Sequence, residues 1–234
     1  MPKLAVRANG NLPLALVQAL YPLSSVDQVQ GSAKVRIQAQ LVQDDQRNWK
    51  TQTLKGQVGI QADHLQLTDF KKRFQGLVAD ISFDEQDLRI NHFKATIGTT
   101  DLHAQLHIPD YSAQVNSSKP LQISGHLNAQ RLDFSDFDTK TTSQKRTWIL
   151  PQDISLSLPC QIDQFTYEGK DFRELSGSLS LAPNQISISQ LRFKHAQGYW
   201  NGQLKLTELA PSTFDIETKG LAKKVDLGYL FKEW

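Results

Sequence analysis

Along much of the chain apolar and polar residues alternate with period two, the spacing of a strand that buries one face and wets the other. In "AKVRIQAQL" the apolar positions are Ala33, Val35, Ile37, Ala39 and Leu41, and Lys, Arg and Gln fill the gaps. The same alternation predicts strands over 54–62, 102–108, 121–129, 154–162 and 214–218. Helical spacing is clear only over 12–21. There Asn11 can cap, Pro13 suits the first turn, Leu12, Leu16, Ala19 and Leu20 share a face, and Pro22 ends the run. The pattern predicts an all-β fold with one short N-terminal helix, placed as a lid or end plug.

The alternation also repeats at long range. "QDLRINHFKATIGTTDLHAQLHI" (86–108) is echoed by "NQISISQLRFKHAQGYWNGQLKL" (184–206). At a constant offset of 98, Leu88, Ile90, Phe93, Ala95 and Leu106 fall opposite Ile186, Ile188, Leu191, Phe193 and Leu204. The apolar phase slips between Ile188 and Leu191, which calls for a bulge near Ser189-Gln190 that keeps both stretches facing the same way. Upstream, Ala62 to Leu65 resembles Ile162 to Phe165, and Phe74-Gln75-Gly76 resembles Leu175-Ser176-Gly177. Downstream, "AQRLDFSDF" (129–137) answers "AKKVDLGYL" (222–230), with Asp133 opposite Asp226. These matches divide the chain into four parts. An N-terminal helix and first β segment occupy 1–53, a first repeat 54–137, an exposed Thr-rich loop 138–150, and a second repeat 151–234.

Charge adds exclusions more than assignments. With 26 Lys and Arg against 24 Asp and Glu, and the basic residues scattered, no stripe tracks a phosphate backbone, so nucleic acid is not an expected partner. One short basic cluster, Lys71, Lys72 and Arg73 between Phe70 and Phe74, fits a solvated turn or a contact with anionic lipid headgroups. Cys160 is the single cysteine, which excludes an intrachain disulfide and a thiolate metal cluster. The longest apolar run, "LPLALVQAL" at 12–20, is half the length of a membrane-spanning helix, and the first residues lack the apolar core of a secretory signal.

No catalytic motif is present: no nucleophile elbow, no HExxH, no phosphate-cradling glycine loop, no CxxC. Asp101, His103 and His107 lie on the polar face of one strand. His103 and His107 would stand about 13 Å apart, too far to share one metal ion. Asp84, Glu85 and Asp87 read as turn residues, and Asp133 and Asp226 as turn or capping residues. Tyr199 and Trp200 fit either tight-turn packing or stacking on a sugar. The expectation is a protein without catalytic residues, metal or cofactor.

The string "FTYEGKDFRELSGSLSLAPNQISISQLRFKHAQGYWNGQLKL", followed by "FDIETKGLAKKVDLGYLF", resembles the C-terminal region of AsmA-like proteins. The shared order is carried by Phe165 to Leu181, Ile186 to Phe193, Gly198, Gly202 to Leu206 and Gly220 to Leu230; the first copy is a looser match, with Ala104 in place of Gly202. Long β-groove proteins of the TamB type share the pattern. The resemblance implies a repeating antiparallel β-groove, a curled sheet with an apolar inner wall. It further implies a Gram-negative envelope protein that is periplasmic, anchored in the inner membrane by a segment absent from this chain, and engaged in phospholipid transport and outer-membrane homeostasis. Its partner would be a phospholipid or another acyl-chain lipid. The groove lining would then comprise Leu88, Ile90, Phe93, Leu106, Ile186, Ile188, Leu191, Phe193, Leu204 and Leu206. Alternation alone fits equally a β-sandwich serving as a scaffold or as a carbohydrate- or protein-binding module. The tandem repeat in one frame, together with the resemblance, favours the groove.

Overall fold

A computed structural model of the chain describes residues 2–43, 46–112, 120–139, 150–195, 198–211 and 213–224. Twelve strands run in sequence order through one sheet: β1 (Lys3–Pro13), β2 (Val26–Gln43), β3 (Trp49–Leu67), β4 (Phe74–Phe83), β5 (Leu88–Ile97), β6 (Thr100–Ile108), β7 (Leu121–Asp133), β8 (Ile154–Tyr167), β9 (Lys170–Ala182), β10 (Gln185–His195), β11 (Gly198–Ala210) and β12 (Thr213–Lys223). The sheet is curled and unclosed, since β1 and β12 end the order without pairing to each other. Eleven strand spacings of about 4.8 Å make it about 53 Å across. The fold is the all-β groove that the tandem repeat and the resemblance favoured, with the strands that the alternation predicts. Among the described residues there is no second sheet for a sandwich to pack against.

The alternation governs burial as predicted. On β2, Ala33 is buried and Val35, Ile37, Ala39 and Leu41 are half-buried, whereas Lys34, Arg36, Gln38 and Gln40 are exposed. In a flat single-layer sheet the two faces would be equally wet. The unequal exposure shows that the sheet curls toward its apolar side.

Local chemistry sets the hairpins. Glu168 (φ 50°) and Gly169 (φ 74°) are both left-handed between the paired residues Tyr167 and Lys170, a type I′ turn whose twist matches the strands it joins. Between β4 and β5 the Asp84 carboxylate accepts the N–H groups of Gln86 and Asp87 at 2.9 and 2.8 Å, the turn role read from the sequence. The predicted bulge is present: Gln190 is left-handed (φ 53°) and the β10–β11 register shifts between Ile188 and Leu191. The β5–β6 register shifts at the equivalent place, between Ile90 and Phe93.

The register also revises the repeat. Phe74 pairs with Leu65 and Ile97, as Phe172 pairs with Phe165 and His195. The offset of 98 therefore extends through β4 and β9. Phe74 and Leu77 answer Phe172 and Leu175, and the match of Phe74-Gln75-Gly76 to Leu175-Ser176-Gly177 is out of register. The boundary drawn after residue 53 falls inside β3.

Three features depart from the sequence reading. The helix α1 (Leu14–Leu20) is shorter than 12–21, because β1 stays paired with β2 as far as Pro13 opposite Ser32. Asn11 is thus a strand residue and α1 has no side-chain cap. Nor does α1 plug the fold, since none of its residues is buried. Finally, β7 and β8 are parallel, the one such joint among ten antiparallel ones. A parallel joint requires the chain to travel back along the whole strand length, so the connection from Asp133 to Ile154 is a crossover, of which residues 134–139 and 150–153 are described.

Candidate functional site

Antiparallel partners point their side chains to the same face, so the register traces rows across the sheet. One row runs Val35, Val58, Ile81, Ile90, Leu106, Gly125. The unbroken β7–β8 register sets Gly125 beside Leu158, and the row continues through Leu179, Ile188 and Leu204. A neighbouring row carries Ile37, Gly56, Phe83, Leu88 and Ile108 on one side of the joint, and Leu156, Leu181, Ile186, Leu206 and Ile216 on the other. Phe93 pairs with Ala104, Leu191 with Gly202 and Phe193 with Trp200, on the same face again. All ten candidate groove residues therefore share one wall. Leu191 is buried and the other nine are half-buried.

The opposite face carries the polar counterpart: Arg36, Gln57, Ser82, Arg89, His107 and Ser124, then Ser157, Ser180, Ser187, Lys205 and Glu217. Shallow depressions mark this face. The one bordered by Arg36, Gln57, Ser82 and Arg89 has a volume of about 430 Å³, and one of its charged walls is already engaged, Arg89 with Asp87 at 2.8 Å.

Aromatic side chains crowd one end of the apolar wall. Phe134 meets Tyr167 edge-on at 5.5 Å between centroids, Phe165 lies 5.9 Å from Phe172, and Phe172 contacts Phe193 at 5.3 Å and His195 at 4.8 Å. Phe193 stacks on Trp200 at 6.4 Å. Tyr199 and Trp200 are consecutive strand residues and so point to opposite faces, which excludes their stacking together on one sugar. Tyr199 instead has the Lys223 ammonium 5.9 Å above its ring. Glycines allow both the close approach of β11 to β12 and the indole: a Cβ built on Gly202 would come 2.2 Å from Lys219 O and 2.9 Å from Trp200 Nε1, and one on Gly220 would come 2.7 Å from Asn201 O and 2.8 Å from Cζ2. In the first repeat the equivalent trio is Leu102, Ala104 and Leu127. A smaller side chain replaces Trp and larger ones replace the glycines, so the same volume is filled by a different partition.

The crossover is fixed at both described ends to the apolar wall. Its first turn is a 3₁₀ helix at Phe134–Phe137, capped by the Asp133 side chain, which accepts from Ser135 N. Asp226, the other residue given a capping role, lies outside the described residues. Asp136 is 1% exposed and its Oδ2 accepts the N–H groups of Thr99 and Thr100, both at 2.9 Å, and the Thr100 hydroxyl at 2.8 Å. Its Oδ1 is hydrogen-bonded and ion-paired to Lys72. Burial pushes the Asp136 carboxyl up, but the Lys72 ammonium, the Thr100 hydroxyl and the Thr99 N–H together outweigh it and hold the group below its ordinary value. The same bond raises Lys72. The neighbouring Lys71 N–H donates to Asp138 O at 3.0 Å, and Phe70 forms a bridge with Thr139. The basic cluster is thus partly committed to holding the crossover. At the far end Leu150, within the stretch read as an exposed loop, is buried, and its N–H donates to Glu208 Oε2 at 2.8 Å. Residues 140–149 of that stretch lie outside the described residues.

Asp101, His107, Glu85 and Cys160 have structural partners. Asp101 Oδ1 accepts the N–H of Gln130 at 2.6 Å, and His107 lies 3.1 Å from Asp87. Glu85 accepts Leu54 N at 2.8 Å. The Cys160 thiol is pushed up by burial and donates to Gly177 O at 3.4 Å. Sequence reasoning missed the cluster of Asp136, Lys72 and Thr100. Its members are 36 and 64 residues apart, and only the crossover brings them together.

No family model, curated protein or solved structure matches this chain.

Proposed function

We propose that this protein holds lipid acyl chains along the apolar wall of its groove. As part of an inner-membrane-anchored periplasmic protein, it would contribute without catalysis to phospholipid transport between the inner and outer membranes. The observation that carries the proposal is the single-layer sheet whose apolar rows cross strand after strand with no second layer among the described residues to dry them. Half-buried Leu, Ile and Phe side chains on such a wall are a standing demand for apolar contact. Each methylene moved onto it from water contributes about 0.8 kcal/mol, so a chain of ten or more methylenes is amply held. Rows running across the strands offer an elongated path, which suits an acyl chain better than a compact ligand. The resemblance to AsmA-like and TamB-type proteins supports the envelope setting. Among the described residues no helix is long and apolar enough to cross a membrane.

The direct test is to purify the protein without detergent, extract it with organic solvent and identify the lipids by mass spectrometry. Phospholipid at near-stoichiometric amounts is expected. A lipid-free extract together with no uptake of a fluorescent phospholipid would remove the proposal.

A further inference from the structure

The repeat assigns a partner to an edge of the sheet that none of the described strands covers. Register makes β12 the structural equivalent of β7: Ala104 pairs with Leu127 as Gly202 pairs with Gly220, and Leu106 with Gly125 as Leu204 with Thr218. The outer edge of β7 is occupied by β8 in parallel, from Leu121 opposite Ile154 to Asp133 opposite Thr166. Where β7 shows β8 the residues Leu121, Ile123, Leu127 and Ala129, β12 shows Phe214, Ile216, Gly220 and Ala222. Apart from half-buried Phe214, every residue of β12 is exposed, and Ile216 is 64% exposed. An exposed edge of this kind is a template for another strand.

The strand at the opposite margin fits it. Ten antiparallel joints and one parallel joint separate β1 from β12, and an even number of reversals leaves the two running in the same direction. Both are 11 residues long and β1 is exposed throughout. Setting position n of β1 against n + 210 of β12 aligns Leu4, Val6, Ala8, Gly10 and Leu12 with Phe214, Ile216, Thr218, Gly220 and Ala222 on the apolar face. On the polar face Arg7 falls opposite Glu217, and Lys3 lies diagonal to Asp215. Glu217 holds Lys219 at 2.8 Å in the free chain, an exposed pair that a cross-strand Arg can replace at small cost.

We propose that the outer edge of β12 takes β1 of a second copy of this chain in parallel, by the geometry that already joins β7 to β8. Because donor and acceptor are different edges, the contact is head to tail, the kind that extends as a row when the rotation between copies does not close a ring. Copies then add into a row whose apolar walls run on from one to the next. The inference rests on strand direction, length and charge, and stands apart from lipid binding.

Sedimentation velocity of the intact chain over a wide concentration range tests it. The average mass of the wild type should keep rising past two copies. Arg7→Glu and Glu217→Arg should each weaken association about tenfold, and the two changes in one chain should restore it. A protein that stays monomeric, or that stops at a closed dimer, overturns the proposal, as does a double variant that fails to recover. Melting curves check that the variants stay folded. A second measurement needs no charge change: Ala5→Cys and Asp215→Cys proteins, each carrying Cys160→Ser, should form a mixed disulfide when combined. Failure of that cross-link in a sample that sediments as a multimer assigns the contact to other edges and equally overturns it.

Discussion

Ile90 and Ile188, 98 residues apart in sequence, stand in one cross-strand row of one sheet: Ile90 between Ile81 and Leu106, Ile188 between Leu179 and Leu204. Two copies of a sequence motif have thus become two stations on a single wall, not two separate cores. That arrangement makes the wall long without making it thick, and it leaves side chains half-buried that a two-layer protein would dry completely.

Ile188→Asp and Ile90→Asp test the wall directly. A carboxylate in a dry core costs several kcal/mol, whereas one on an open wall reaches water. Each variant should stay folded with a loss of about 1–2 kcal/mol, mostly the forfeited apolar contact, and fluorescent-phospholipid binding should fall sharply. Ser187→Asp, in the polar row between Ser180 and Lys205, should alter neither. Cooperative unfolding in both Ile variants would show a wall covered more completely than the open groove allows.

Asp136 predicts a pH response. Its native carboxyl lies below the ordinary value of 3.8, so its stabilising contribution is complete above that value and is lost as pH falls through the lowered native one. Asp136→Asn should cost about 3 kcal/mol at neutral pH, because Lys72 loses its partner and the amide's N–H₂ meets other donors. Its melting temperature should also fall less steeply below pH 4. Asp84, Asp87 and Asp171 are held low as well, so the acid limb shrinks without vanishing. Lys72→Met should cost less, since the Asp136 carboxylate that it leaves behind keeps the Thr99 and Thr100 donors.

Gly98 and Gly76 separate steric from conformational cost. Both are left-handed, at φ +58° and +56°. A Cβ on Gly98 would fall 2.2 Å from Asp136 Oδ1, while one on Gly76 meets nothing within 4 Å. Gly76→Ala should therefore lose about 1 kcal/mol from backbone strain alone, and Gly98→Ala clearly more because it also dislodges the Asp136 anchor. Chemical denaturation of the two variants gives the difference, and equal losses would contradict the anchoring role.

Trp200 and Gly220 should behave as a coupled pair. Gly220→Leu alone drives a side chain into the indole and should be strongly destabilising. Adding Trp200→Leu reproduces the first repeat's Leu102 and Leu127 and should recover the part of the loss that the indole causes, leaving the part set by Asn201 O, which a Cβ at 220 would approach to 2.7 Å. The double-mutant coupling is expected at about 1–3 kcal/mol, measured from denaturant midpoints. Simple additivity would mean that the two repeats do not partition the same volume.

The sequence by itself determined most of the strands, their apolar side and the repeat at an offset of 98. Period-two alternation is a local property, and a strand with a single apolar face has one way to orient it, so Ala33 to Leu41 or Leu88 to Leu106 could be assigned without knowing their neighbours. The bulge at Gln190 was legible for the same reason, since only an extra residue reconciles Ile188 with Leu191 on one face. β1 went unassigned although Leu4, Val6, Ala8 and Leu12 of "KLAVRANGNLP" alternate with Lys3, Arg7, Asn9 and Asn11: Ala5 and Gly10 blunt the contrast, and pairing with β2 carried the strand through Pro13, where capping chemistry suggested a helix. The choice between one open sheet and two packed ones also belongs to tertiary structure, because both satisfy the same alternation and differ only in which strand lies beside which. The parallel joint of β7 and β8 and the cluster of Asp136, Lys72 and Thr100 complete the list. A buried carboxylate's partners come from wherever the chain returns in space, and for Asp136 that return is decided by the crossover rather than by any residue near it in sequence.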